Sequence, residues 1–243
     1  MIVPGDALGE ILSTRAGESG WSFEDGDILV LAQKIVSKAE GRLVNLCDVI
    51  PSQQALDYAS QTEKDARFIE LVLRESQSVL RVRPGTIIVE HKLGFICANA
   101  GIDHSNVNGT WGKSEDWVLL LPEDPDRSAR NIQAEILGFT GKKVGVMIID
   151  SHGRAWRSGT VGVSIGLAGV PGLVDMRGKT DMFGYQLRVT IIAAADELAA
   201  GASLVMGQAD EKIPAVVVRG FPYPLRESSL SEVIRPKELD LFR

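Results

Sequence analysis

The chain has 243 residues, 44% hydrophobic and 24% charged, with a net charge of -6. That length can bury a substantial core, and the acidic balance argues against nucleic acid as a partner, because counterion release from phosphates needs a basic face. Cys47 and Cys97 stand in apolar or small-residue surroundings without C-x-x-C spacing, which points to a reducing, cytoplasmic setting, while the lack of a basic-then-apolar leader or a roughly 20-residue apolar run argues against export and membrane insertion.

In chain order, "GDILVLAQKIVSK" opens with a Gly-Asp turn, and its apolar run Ile28 to Ala32 predicts a buried strand with polar residues at its end. "SQQALDYASQTEKDARFIELVLRES" contains no Gly or Pro and carries Phe68, Leu71 and Val72 at helical spacing, so it predicts the main helical block of the first half. "TIIVEHKLGFICANAG" predicts two strands, Thr86 to Glu90 and Phe95 to Ala98, around a tight connection. The second runs into "CANAGIDHSN", where Asp103, His104, Ser105 and Asn106 follow small residues; such a run makes a turn or a metal or phosphate site. "WVLLLPEDPDRSARNIQAEIL" reads as a strand, an acidic turn and a helix capped at Asp126 or Ser128. "KKVGVMIIDSHGR" predicts a buried strand from Val144 to Ile149, ending on Asp150, Ser151 and His152. Glycines 159, 162, 166, 169, 172, 178 and 184 mark a tightly packed or dimer-contacting region. "VTIIAAADELAAGASLVMG" predicts a helix to about Met206 with Gly207 as its stop, "IPAVVVRGF" a last buried strand, and the final twenty or so residues a polar tail or short helix. The whole reads as one intertwined, mixed-sheet α+β domain over residues 1–243, with a division into two lobes left open.

Asp103 and Asp150 each follow an apolar strand, where rigid scaffolds present functional groups. Converging with Ser, Asn or Gln oxygens, two carboxylates suit a hard cation such as Mg²⁺ or Mn²⁺. His104 and His152 match no zinc spacing. Lys34 and Lys38, near the end of the first strand, can offer ammonium groups to phosphate or stand as solvated surface charges. "GFTGKK" lacks the glycine and the hydroxyl residue of a Walker A loop, and no G-x-G-x-x-G follows a strand, so a nucleotide bound here uses neither common phosphate cradle.

The blocks "DGDILVLAQKIVSKAEGR", "NAGIDHSNV", "LLLPEDPDRSA", "GVMIIDSHGRAWRSGTVGVSIG", "DMFGYQLRVT" and "ADELAAGASLVMGQADEKIPAVVVRG", in this order from about Phe23 to Gly220, resemble the coenzyme F420-0:L-glutamate ligase family of deazaflavin-cofactor biosynthesis. The resemblance implies a dimer-forming α+β fold and a reaction that couples GTP hydrolysis to amide formation between the carboxylate of the precursor F420-0 and the amine of L-glutamate, through an acyl phosphate. It implies Mg²⁺ or Mn²⁺, with K⁺ as an additional cation. Position by position, Asp103, Asp150 and Ser151 match metal ligands. Gln208 falls where some relatives place a glutamate on a metal, and a neutral amide there binds a cation more weakly. Gln33, Lys34, Lys38 and Asn106 match nucleotide contacts, as does the segment Met206, Gly207, Gln208, Ala209, Asp210, Glu211, Lys212 and Ile213. Lys38 and Asp150 are the implied catalytic pair, with His104 as a candidate base for the amine.

Relatives begin with an extra strand and a nucleotide-touching loop that fall before or around Met1 here, and "AGESG" lengthens the turn ahead of Phe23. Two rival functions stand beside it: a metal-dependent phosphatase or phosphotransferase, which would use the same carboxylates and lysines, and a non-catalytic deazaflavin-binding protein, which would need neither nucleotide nor metal.

Overall fold

The computed structural model describes residues 1–109 and 112–240. Helix α1 (Leu8–Glu18) leads to strand β1 (Ile28–Ala32), whose first four residues are fully buried. The "AGESG" stretch is the last turn of α1 followed by Ser19 and Gly20, rather than a lengthened turn. Helix α2 (Gln33–Ala39) begins at the residue after β1, so Lys34 and Lys38 sit one helical turn apart on α2 instead of at a strand end. Strand β2 (Leu43–Asn45) follows. The helical block then divides into α3 (Gln53–Thr62) and α4 (Ala66–Arg74), because Glu63 takes a left-handed φ of 57° and the Asp65 carboxylate caps α4 by accepting from the Arg67 N–H. Phe68, Ile69, Leu71 and Val72 form the buried stripe of α4.

Apolar periodicity does not reveal β3 (Ser76–Arg83), which is half exposed and carries a polar residue at most positions. It pairs with β4 (Thr86–His91), and β4 pairs with β5 (Ile96–Ala98), as an antiparallel sheet in the order β3-β4-β5. Strand β6 (Trp117–Leu119) pairs with β2. Helix α5 (Pro125–Thr140) takes its cap from Asp124, whose carboxylate accepts from Arg127 N–H at 2.9 Å, with proline at the first helical position. The two expected caps are occupied elsewhere. Asp126 accepts from the Leu167 and Leu230 amides, and the Ser128 hydroxyl donates to Glu40. "GFTGKK" is the end of α5, with Gly141 left-handed at φ 70°.

Strand β7 (Gly145–Arg154) does not stop at Ile149. Its partner β8 (Arg157–Ala168) continues the ladder, pairing Asp150 with Val163, Ser151 with Gly162 and His152 with Val161, so all three polar residues lie within the strand. Strands β9 (Val174–Asp175) and β10 (Ile191–Ile192) form a small ribbon ahead of helix α6 (Ala194–Met206), which stops at Gly207 as expected. Strand β11 (Ala215–Val218) lies at the sheet edge and is half buried rather than buried. The polar end of the chain makes two short turns, Leu230–Glu232 and Lys237–Leu239.

The main sheet runs β11-β1-β7-β8, with β1 and β7 parallel and the other pairs antiparallel. One face packs on α1, α2 and α5 through Leu8, Val36 and Ile136, the other on α6 through Ala195, Ala199 and Met206. A separate core lies beneath the β3-β4-β5 sheet, where α4 contributes Phe68, Ile69 and Val72 against Ile87 and Val89. This is an α+β chain with several sheets. Among the described residues no helix is long and apolar enough to cross a membrane.

Candidate functional site

The parallel pairing of β1 with β7 sets Ala32 opposite Ile149. The next residue on each chain, Gln33 at the start of α2 and Asp150 in β7, therefore emerges at the same level, beyond the carboxyl end of β1. Such junctions gather functional groups in α/β sheets. Gln33 is buried; its amide donates to Asp103 Oδ2 at 2.7 Å and its carbonyl accepts from the Ser37 hydroxyl at 2.9 Å.

Asp103 reaches this level from a different sheet. After β5, Asn99, Ala100 and Gly101 all take left-handed φ between 53° and 66°, turning the chain sharply. A Cβ at residue 101 would lie 2.7 Å from Leu121, so glycine serves both the turn and the close packing. Asp103 is not at a strand end; its backbone exchanges hydrogen bonds with Leu119 of β6 at 3.0 and 2.9 Å, fixing its height. The Lys34 ammonium stands 3.4 Å from Asp103 Oδ2 and donates to the Ser105 hydroxyl at 2.8 Å, while Lys38 donates to the Asn106 carbonyl at 2.7 Å. Lys38 is thus half buried over the 103–106 segment, not a solvated charge. Burial, and then the neighbouring charge of Lys34, lower its pKa.

The third component arrives through α6. A Cβ at Gly162 would fall 2.5 Å from the Ala199 carbonyl oxygen, so the missing side chain lets α6 lie directly on β8. Gly166 meets Pro125 in the same way, and both close approaches are made within the chain. Helix α6 then ends beside β7 and delivers Gln208, whose Oε1 accepts from the Ser151 hydroxyl and whose amide donates to Ser203 Oγ, both at 3.0 Å. Asn106 donates to the Ala209 carbonyl at 3.0 Å. Asp210, Glu211, Lys212 and Ile213 lie exposed in the following loop, where Glu211 accepts from Ala209 N–H. Met206 is buried in the α6 core.

Two carboxylates dominate the electrostatics. Burial, and then the charge of Asp150, push Asp103 up to about 6, against the opposing pull of Lys34 and Gln33. Among the described residues no three His, Cys, Asp or Glu side chains gather as a metal site. The carboxylates of Asp103 and Asp150, near enough for the charge of Asp150 to raise Asp103, nevertheless offer the oxygen donors that a hard cation takes, while Ser151 and Gln208 bring neutral oxygens together on the other face of β7. A cation there would relieve the repulsion between the two aspartates.

His104 stands apart from these contacts. It is exposed, stacks on Phe68 with ring centroids 5.1 Å apart, and lines a cleft of about 670 Å³ with Lys113, Ser114 and Glu115. His152, in contrast, pairs with Asp150 at 3.0 Å. His91 and Phe95, which motif reading does not single out, complete an aromatic cluster against His152. Only the alternation of Asp150 and His152 along one strand face hints at it in the sequence.

The profile of the F420-0:Gamma-glutamyl ligase family matches residues 1–220. Among curated relatives, the "Coenzyme F420:L-glutamate ligase" of Methanothermobacter thermautotrophicus is 44% identical over 245 residues, covering 100% of this chain and 95% of the relative. Proteins of the same name from Methanopyrus kandleri and Archaeoglobus fulgidus are 45% and 44% identical, covering 99% and 100% of this chain and 92% of each relative.

Proposed function

The chain belongs to the F420-0:gamma-glutamyl ligase family, and from this we propose that it joins L-glutamate to the carboxylate of F420-0 at the expense of GTP. The observation that carries this reading is a run of hydrogen bonds, Gln33 to Asp103, Lys38 to the Asn106 carbonyl, Asn106 to the Ala209 carbonyl and Ser151 to Gln208, that links α2 with the 103–106 segment, that segment with the loop after α6, and that loop with β7.

A carboxylate is a poor acyl donor, so the reaction takes two steps. A carboxylate oxygen of F420-0 attacks the γ-phosphorus of GTP, the bond to the bridging oxygen breaks, and GDP leaves an acyl phosphate. The glutamate amine then attacks the acyl carbon, phosphate departs with the bonding pair, and the nitrogen loses its proton. Positioning and charge neutralisation dominate such a transfer. In this reading Lys34 and Lys38 turn from the 103–106 carbonyls and hydroxyl to the phosphates, and Asn106 and residues 206–213 hold the nucleotide. Asp103, Asp150, Ser151 and Gln208 would hold Mg²⁺ or Mn²⁺, with K⁺ as an additional cation, and a bound ion would supply charge neutralisation on the phosphate oxygens. No side chain becomes a covalent nucleophile, and His104, outside these contacts, is set aside as the amine's base.

Mass spectrometry of F420-0 incubated with the protein, GTP, Mn²⁺ and L-glutamate tests the reading. It should show a product heavier by one glutamyl residue, with further additions if the product is itself an acceptor. Phosphate release that needs neither glutamate nor F420-0 would favour a phosphatase instead, and deazaflavin binding that needs neither nucleotide nor metal a carrier.

Lys38→Ala should lower kcat/KM for GTP by about a hundredfold while the protein stays folded, because the ammonium contributes charge at the phosphates and a tether to Asn106 rather than core packing. Steady-state kinetics that match the wild type would return Lys38 to a purely structural role.

Association into a homodimer belongs to the same proposal. The segment between β9 and β10 exposes Met182, Phe183 and Val189 at 85% or more, an apolar surface that a second copy would cover. Light scattering at micromolar concentration should give about twice the 26.3 kDa of one chain, and a monomer mass would remove the claim. The free cysteines, one exposed and one buried, support a reducing, cytoplasmic setting.

A further inference from the structure

His152 lies two residues beyond Asp150 on the same face of β7, and its Nε2 stands 3.0 Å from Asp150 Oδ2. An ionised carboxylate only accepts, so Nε2 carries the hydrogen and donates it. Both side chains are largely enclosed, 10% exposed for His152 and 14% for Asp150, which makes this a contact with little solvent competition.

The imidazole is held from the other side as well. Phe95, at the entry to β5, packs its ring on His152 with centroids 5.1 Å apart. Phe95 in turn stacks on His91 at 5.0 Å with the planes 10° apart. His91 is itself fixed: it is 3% exposed, and its Nδ1 accepts from the Leu93 amide at 3.0 Å. The three rings join the β4–β5 hairpin to β7 near its carboxyl end. None of the three has a role in the phosphate and metal chemistry above.

The geometry points to His152 as a positioning residue that orients Asp150 for a divalent cation, its own ring held in place by the Phe95–His91 stack. The inference rests on Asp150 being a metal ligand. Its physical basis is general: carboxylates that ligate metals are steered by outer hydrogen bonds, and removing such a partner typically weakens metal binding about 10- to 100-fold. Oδ2 is occupied by the imidazole N–H, so the carboxylate is held with Oδ1 available to an incoming cation. Without that bond the carboxylate rotates freely about its χ2 torsion, and a bound ion has to order it.

The test measures Mn²⁺ binding directly, by titration followed with the electron paramagnetic resonance signal of free Mn²⁺, and by the Mn²⁺-induced rise in Tm. It compares the wild type with Asp150→Asn, His152→Phe and His152→Gln. Asp150→Asn should abolish measurable binding. His152→Phe keeps a ring against Phe95 but cannot donate, and should weaken Mn²⁺ about 10- to 100-fold. His152→Gln loses the ring but retains an N–H donor, and should stay within about threefold of the wild type. If packing were the only role of His152, the order of the last two would reverse. That reversal, or wild-type affinity in both while Asp150→Asn has lost it, overturns the positioning role and leaves the metal assignment standing. Retained Mn²⁺ binding in Asp150→Asn overturns both. Should His152→Phe fold poorly, His152→Leu, smaller and equally unable to donate, is expected to show the same weakening.

Discussion

Asp150→Asn is expected to lower glutamate addition roughly a thousandfold, several kcal/mol of lost transition-state stabilisation, while the metal-free protein remains folded. The substitution preserves shape and removes only charge. Asp150 sits in the ladder opposite Val163, and asparagine leaves that backbone pairing untouched. What changes is the field around Asp103, whose proton affinity Asp150 raises. With one of the two carboxylates neutral, a hard cation loses half of the negative charge available to it, and the charge-assisted bond from His152 becomes an ordinary one. Stability without metal should hold or rise, since crowded like charges have been relieved. Saturating Mn²⁺ should raise the Tm of the wild type, by the linkage of ligand to the native state, and leave the variant where it was. Near wild-type turnover with an undiminished Mn²⁺ effect would show that Asp150 does nothing more than occupy a strand.

How much of this site is legible in the sequence differs from residue to residue. Asp103 and Asp150 stand out because each follows an apolar run, and the run Ile28 to Ala32 is a strand at those residues. Where each element ends is less legible. Val144 to Ile149 looks complete as a buried strand, but the ladder continues to Arg154 because β8 is long enough to pair with it, and a partner's length is not written in the strand itself. The same limit hides β3, whose stabilisation comes from β4 rather than from its own half-polar sequence. Helix α2 begins without any capping side chain, so Lys34 and Lys38 appear as a strand end until the turn is seen. Glycine spacing is more deceptive. Gly162 reads equally well as a site of contact between two copies, and only the path of α6 shows that Ala199 of the same chain fills the space. Long-range pairs such as Gln33 with Asp103 and Asn106 with Ala209, 70 and 103 residues apart, follow from topology and cannot be counted off by spacing.

Asp103→Asn should make the metal-free protein more stable than the wild type at pH 7.5, with a margin that shrinks as the pH falls toward 4. The sign follows from the direction of the shift. The folded protein holds the Asp103 proton up to about pH 6, whereas an unfolded aspartate releases it near 3.9. Below about pH 4 both states are protonated and the group costs nothing. Between about 4 and 6 the native state binds more protons than the unfolded state, so stability falls as pH rises, and above 6 the full penalty is present. Two pKa units set its ceiling near 3 kcal/mol. Asparagine recovers part of that by removing the charge, less what is lost where Lys34 and the Gln33 amide meet a neutral acceptor instead of a carboxylate. A net gain of about 1–2 kcal/mol, or roughly 2–8 °C in Tm for a chain of this length, is the expected result at pH 7.5. Saturating Mn²⁺ should reverse the ranking, because the wild type then gains binding free energy that the variant lacks. Thermal denaturation of both proteins between pH 4 and 8, with and without Mn²⁺, decides the matter. A variant that is less stable than the wild type at pH 7.5, or a difference that does not change with pH, would mean that Asp103 is not held against its own charge in the fold.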